Sequence, residues 1–128
     1  MKYVNQKNKS IGSDIRKIAK KYNVSVSRDS YNCENNEGAC AGKNIYLGEF
    51  DNHSIEIVAF FHELGHALSN ELVCKRGCTM TRVSSEGLAW ELGLGLAFDN
   101  GYKWGHDSPE MKYARERFRT YNKEEHYR

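Results

Sequence analysis

Two histidines four residues apart bracket a glutamate in the run Phe60-Phe61-His62-Glu63-Leu64-Gly65-His66-Ala67-Leu68. On a helix, positions i and i+4 share a face with Cβ atoms roughly 5–6 Å apart, so both imidazoles can grip one ion. Zinc suits such a pair. It takes imidazole nitrogen at about 2.0–2.1 Å and, in a catalytic site, keeps one tetrahedral position for water. Glu63 follows His62 directly and cannot join the pair as a third ligand. It flanks the ion, where a carboxylate can take a proton from water. Gly65 leaves the helix surface bare, so another backbone or a substrate can come close.

Two histidines need a partner, and three glutamates are in range. Glu71 lies five residues past His66, about 140° around the helix, and points elsewhere. Glu86 shares a helical face with Ala89, Gly93 and Ala97, small residues that permit close helix packing. Glu91 falls on nearly the opposite face with Gly95 and Phe98. Only one face can meet the motif helix. The small-residue face makes Glu86 the expected third ligand and Glu91 the alternative. A carboxylate in a first helical turn is also favoured by the helix dipole, an explanation of Glu86 that needs no metal.

The stretch His62-Glu63-Leu64-Gly65-His66-Ala67-Leu68, with a carboxylate on the next helix, resembles the gluzincin zinc peptidases. In small size and style it is similar to ImmA/IrrE-like and other compact bacterial or phage zincins. The likeness is specific over about residues 57–92 and weak elsewhere. The twenty residues between His66 and Glu86 are similar to the separation in thermolysin-type gluzincins. The other large zincin group needs a glycine and a third histidine where this chain has Ser69 and Leu72, so that pattern fails. The resemblance implies a small α+β zincin-like core that hydrolyses peptide bonds with one catalytic Zn2+. It also implies an edge strand upstream, here Lys43–Phe50, that holds an extended peptide or protein substrate by strand addition. In gluzincins a downstream His or Tyr often stabilises the oxyanion. By order along the chain the candidates here are His106, the expected catalytic partner of Glu63, and Tyr102.

Four cysteines, Cys33, Cys40, Cys74 and Cys78, flank the motif. Reduced thiols are the default for a cytoplasmic protein. A second, structural zinc on all four thiolates is an alternative, although spacings of six and three intervening residues do not match the common knuckles. Disulfides are the third option. His53 and His126 read as surface residues. Trp90 with Leu88, Leu92 and Leu96 reads as core, and the glycines at 87, 93 and 95 form no phosphate loop.

The elements that must position these groups follow from periodicity. Ile11, Ile15, Ile18, Ala19 and Tyr22 predict a helix over 13–22, capped by Ser13 or Asp14. Val24–Ser27 alternates like a strand, Asn32–Gly42 reads as a loop, and Lys43–Phe50 as a second strand. A helix from Ser54 to Asn70 or beyond carries the motif, and Cys74–Arg82 reads as a connection. The ligand helix runs from Ser84 or Ser85 to Phe98 and stops at Asn100-Gly101. Pro109 opens a last helix. The order is one helix, two short strands and three helices, an α+β arrangement.

The 128 residues are near the usual size of one domain, and 15 aromatics (8 Tyr, 5 Phe, 2 Trp) exclude a disordered chain. The net charge of +2 hides an uneven spread: residues 1–22 carry seven Lys/Arg against Asp14, and residues 29–71 carry eight acids against Lys43. The basic start is not interleaved with aromatics, which favours a solvated helix face over a nucleic-acid contact. With no signal-like apolar segment and no membrane-length apolar run, the expected location is the cytoplasm, a host's if the source is a phage. The rival to a peptidase is a zinc-binding regulatory or interaction module, whose metal would have four protein ligands.

Overall fold

The computed structural model describes residues 10–76 and 82–126, with side chains described for 10–69 and 85–120. The described residues form an α+β arrangement of four helices and a three-stranded sheet. The elements are α1 (Ser13–Lys21), β1 (Ser25–Arg28), β2 (Gly38–Ala41), β3 (Asn44–Leu47), α2 (His53–Arg76), α3 (Arg82–Asp99) and α4 (Pro109–His126).

α1 buries Ile15, Ile18 and Ala19 on one face and ends on Asn23 at φ 59°. The bonds Val24 N–H to Ala19 O and Asn23 N–H to Lys20 O close a Schellman cap there. No side chain caps its start. Gly12 holds the N-cap position, and Asp14 instead accepts from its neighbour Ile15 N–H and from His53 Nε2, at 2.8 Å each.

The sheet order is β1-β3-β2, with β1 parallel and β2 antiparallel to β3. This corrects two expectations. Residues 38–41, read as loop, form a strand, because pairing with β3 through the two-residue turn at Gly42 (φ 61°) overrides the weak strand propensity of Gly-Ala-Cys-Ala. The strand within Lys43–Phe50 is the middle one, paired on both sides, and so is not the edge. The edge next to it is β2. Ile45 and Leu47 of β3 point into the core and are fully buried.

α2 is apolar nearly all round, as befits a helix covered on both sides. Ile57, Ala59, Phe60, Phe61, Leu64 and Ala67 pack with α1 and the sheet, while Val58 meets Trp90 of α3 and Ala114 of α4. Its cap is Asn52, not Ser54: Asn52 Oδ1 accepts from Ser54 N–H at 2.8 Å. Near its start a buried ion pair joins Glu56 to Arg28 of β1. Cys74 and Arg82, the ends of the expected connection, both lie within helices, α2 running to Arg76 and α3 from Arg82.

α3 stops as expected. Gly101 takes φ 92°, with Tyr102 N–H on Ala97 O and Gly101 N–H on Phe98 O. Pro109 is the first residue of α4, and Ser108 Oγ accepts from Met111 N–H. Among the described residues no helix is long and apolar enough to cross a membrane.

Candidate metal centre

α2 and α3 touch through their backbones. A Cβ on Gly65 would lie 2.1 Å from Ala89 O, and one on Gly93 would lie 2.3 Å from Phe61 O. Neither position can carry a side chain without pushing the helices apart. Glu86, Ala89, Gly93 and Ala97 are all buried on this contact, whereas Glu91, Gly95 and Phe98 face outward. The face argument therefore selects Glu86 over Glu91.

The close approach brings three side chains to one point. Glu86 Oε1 lies 2.9 Å from His62 Nε2, and Glu86 Oε2 lies 2.9 Å from His66 Nε2. One donor atom from each of the three residues falls within 4.8 Å of the other two. Tetrahedral ligands at zinc distances sit roughly 3.3 Å apart, so this set fits such an ion with small adjustments. A second observation supports the fit. Glu86 Oε1 is buried and, despite its short distance to His62, has no hydrogen-bond partner of acceptable direction. These groups aim at a shared point more than at one another.

His62 is oriented by stacking. The Trp90 indole lies against its ring with centres 4.0 Å apart and planes 22° from parallel. His62 Nδ1, which in many metal sites donates to a carboxylate or carbonyl, is buried without a partner here. Trp90 is four residues after Glu86 and shares its face, a relation present in the sequence although Trp90 reads there only as core.

Glu63 lines a cleft of about 220 Å³ with His66, Glu86, Ala39 and Cys40. Its carboxylate is 4.0 Å from His62 Nε2 and does not belong to the converging set. The Gly38 backbone of β2 packs on it, for a Cβ there would lie 3.3 Å from Glu63 Cγ. Thus β2 supplies one wall of the cleft.

The titration behaviour of the metal-free cluster follows from burial and charge. Burial, reinforced by Glu86 and Glu37, pushes Glu63 up to about 7 against the pull of His66 and Arg117. Burial alone would raise Glu86 as well, but the two imidazoles 2.9 Å from its oxygens outweigh it and hold Glu86 at about 2. The histidines diverge. Burial wins at His62 and lowers it despite Glu86, while at the more open His66 the carboxylate overcomes burial and raises it.

No family model, curated protein or solved structure matches this chain. What the site can do therefore has to be argued from its own groups.

The structure does not bring the expected oxyanion donors to the cleft. His106 is exposed in the connection between α3 and α4, where its carbonyl accepts from Arg115 at 2.9 Å, and it does not line the cleft. Tyr102 packs edge-on against Phe61 and lies in the field of Asp14, which pairs with His53 in the first turn of α2, more than two turns from His62. Gly101, at the C-terminal stop of α3, turns the chain away before either residue is reached. Cys33 and Cys40 are free thiols. Burial raises both, Cys40 to about 11, so Cys40 beside the acidic cluster is a protonated thiol. The four-thiolate site cannot be described as a whole: Cys78 and the side chain of Cys74 lie outside the described residues, as do the side chains of Glu71 and His126 and the basic residues before position 10.

Proposed function

We propose that this chain is a zinc-dependent peptidase with a zincin-like core, related in plan to the gluzincins. The observation that carries the reading is the convergence of His62, His66 and Glu86, with Glu63 held beside them in the same cleft but outside the ligand set. A purely structural site has no use for a buried carboxylate at that position.

In this reading His62, His66 and Glu86 hold the metal. When bound, zinc supplies a Lewis acid that polarises a carbonyl and makes water more acidic. The chain does the rest. Glu63 accepts a proton from the attacking water and hands it to the leaving amine. The β2 edge, paired on its inner side only to β3, offers backbone groups to an extended peptide along the cleft. Gly38 lets that strand lie directly on Glu63.

The decisive experiment is a zinc assay on protein purified without chelator, run beside cleavage of a broad peptide library by wild type and Glu63→Gln. One zinc per chain in both, with cleavage by wild type alone, supports the peptidase. Zinc with no cleavage in either sinks it. A second reading has one specific observation in its favour: Cys40 lines the cleft and could complete a four-ligand structural site in a regulatory module. Cys40→Ala separates the two, since it should leave zinc affinity unchanged in a peptidase and weaken it in a structural site.

A further inference from the structure

Glu63 stands between the three converging ligands on one side and β2 on the other. Its usefulness as a base therefore depends on where each side is held, since a misplacement of about 1 Å can cost roughly 10²-fold in rate. One residue of α4 touches both sides. Tyr113 precedes Ala114 and packs on the cluster of Val58, Trp90 and Ala114 as well as on the main core. Its ring meets the Trp90 indole edge-on, with centres 6.4 Å apart, and that indole stacks on His62 at 4.0 Å. Its hydroxyl reaches the other way and donates to Asn36 O at 2.9 Å. Asn36 takes a left-handed φ of 61°, which asparagine tolerates better than most side chains, and lies in the turn before β2. Two residues on, Gly38 packs against Glu63 Cγ. Tyrosine suits this place because an apolar ring and a polar tip are joined in one rigid side chain.

We propose that Tyr113 is a positioning residue for peptide hydrolysis, a role that rests on the peptidase reading above. Its ring steadies the His62 side of the cleft through Trp90. Its hydroxyl sets how closely β2 lies on Glu63 through Asn36. It acts through these neighbours and not on the substrate. Because ring and hydroxyl have separate tasks, the two can be removed separately.

The alternative is that the other ties of this segment suffice and the hydroxyl adds only stability. Asn36 N–H donates to Glu49 O at 2.7 Å, and Asn36 and Asp51 exchange two further bonds at 3.1 and 3.2 Å. Arg117 also pairs with Glu37 at 3.2 Å. The test compares zinc-loaded wild type, Tyr113→Phe and Tyr113→Leu on one cleavable peptide, well below the melting temperature of each. Tyr113→Phe keeps the ring, so zinc affinity by chelator competition should match wild type. Its kcat should fall by roughly 10- to 100-fold with KM little changed. Tyr113→Leu should show the same loss of kcat and, in addition, about tenfold weaker zinc binding. Hydrogen exchange adds a readout without turnover: the β2 amides bonded to β3 should exchange faster in both variants, while those of α1 stay as in wild type. A Tyr113→Phe that melts lower but keeps the wild-type kcat overturns the inference in favour of a structural role. Zinc affinity lost equally in both variants overturns it too, since ring and hydroxyl would then share one task. If Tyr113→Leu does not fold, Tyr113→Phe decides alone through kcat and exchange. Wild type and Tyr113→Phe cleaving at the same rate removes this inference only, whereas a wild type that cleaves nothing removes the peptidase reading and this inference with it.

Discussion

The indole of Trp90 stacks on the imidazole of His62, and no hydrogen bond holds that ring at Nδ1. Stacking therefore orients this ring as a hydrogen-bonded carboxylate does in metal sites. Trp90→Ala is expected to lower zinc affinity by about 10–100-fold, measured by chelator competition. It should also cost about 3–5 kcal/mol of stability, as deleting a buried indole generally does. Trp90→Phe keeps a ring on His62 and should retain most of the affinity. Equal zinc affinity in Trp90→Ala and wild type would show that the ring needs no such support.

Glu63 predicts a pH dependence of the metal-free protein. Its carboxyl titrates near 4.5 when unfolded and about 7 when folded. Between those values the folded state binds more protons than the unfolded one, so stability falls as pH rises through this window and levels off above 7. The difference amounts to roughly 3 kcal/mol. Glu86 has the opposite sign: held at about 2, it stabilises above 4.5, and that contribution is lost as pH falls towards 2. In EDTA-treated protein, Glu63→Gln should melt close to wild type at pH 4.5 and about 10 °C above it at pH 8. A gap that does not grow with pH would place Glu63 in a wetter setting.

The two glutamates of α3 should separate cleanly. Glu86→Ala should weaken zinc by more than the roughly 10–100-fold that an outer-sphere partner is worth, because both histidines converge on that carboxylate. Glu91→Ala, on the exposed face, should leave affinity within error. Chelator competition at fixed pH reads both, and the reverse ranking would mean that α3 presents its other face.

Three glycines in the same two helices should behave differently. Gly65→Ala and Gly93→Ala each drive a methyl into a carbonyl of the facing helix and should cost 1–3 kcal/mol or more, with weaker zinc binding. Gly95→Ala meets nothing within 4 Å and should stabilise by up to about 1 kcal/mol through helix propensity. Thermal melts of the three variants decide this, and a neutral Gly65→Ala would mean that the helices separate easily.

The residues brought together at the candidate metal centre were legible in the sequence because helical periodicity is local. His62, Glu63 and His66 need one turn of helix, and Glu86 follows from the small residues that share its face. The wall opposite was not legible. Gly38-Ala-Cys-Ala has no β-branched or aromatic residue and becomes a strand only through pairing. That β3 is central depends on β1 returning beside it, a non-local event. His106 illustrates the converse: order along the chain made it a candidate, and the turn at Gly101 carries it away from the cleft.

The glycine contact between α2 and α3 has a consequence for which ion would fit the proposed centre. No side chain lies between the two rods at Gly65 and Gly93, so nothing there can swell, shrink or change rotamer. The gap across which the imidazoles face Glu86 is gauged by the thickness of two polypeptide chains, and repacking elsewhere in the interior has little leverage on it. Such a stop suits a small, four-coordinate cation and leaves a calcium-sized one, which asks for six to eight oxygens at about 2.3–2.6 Å, without room or ligands.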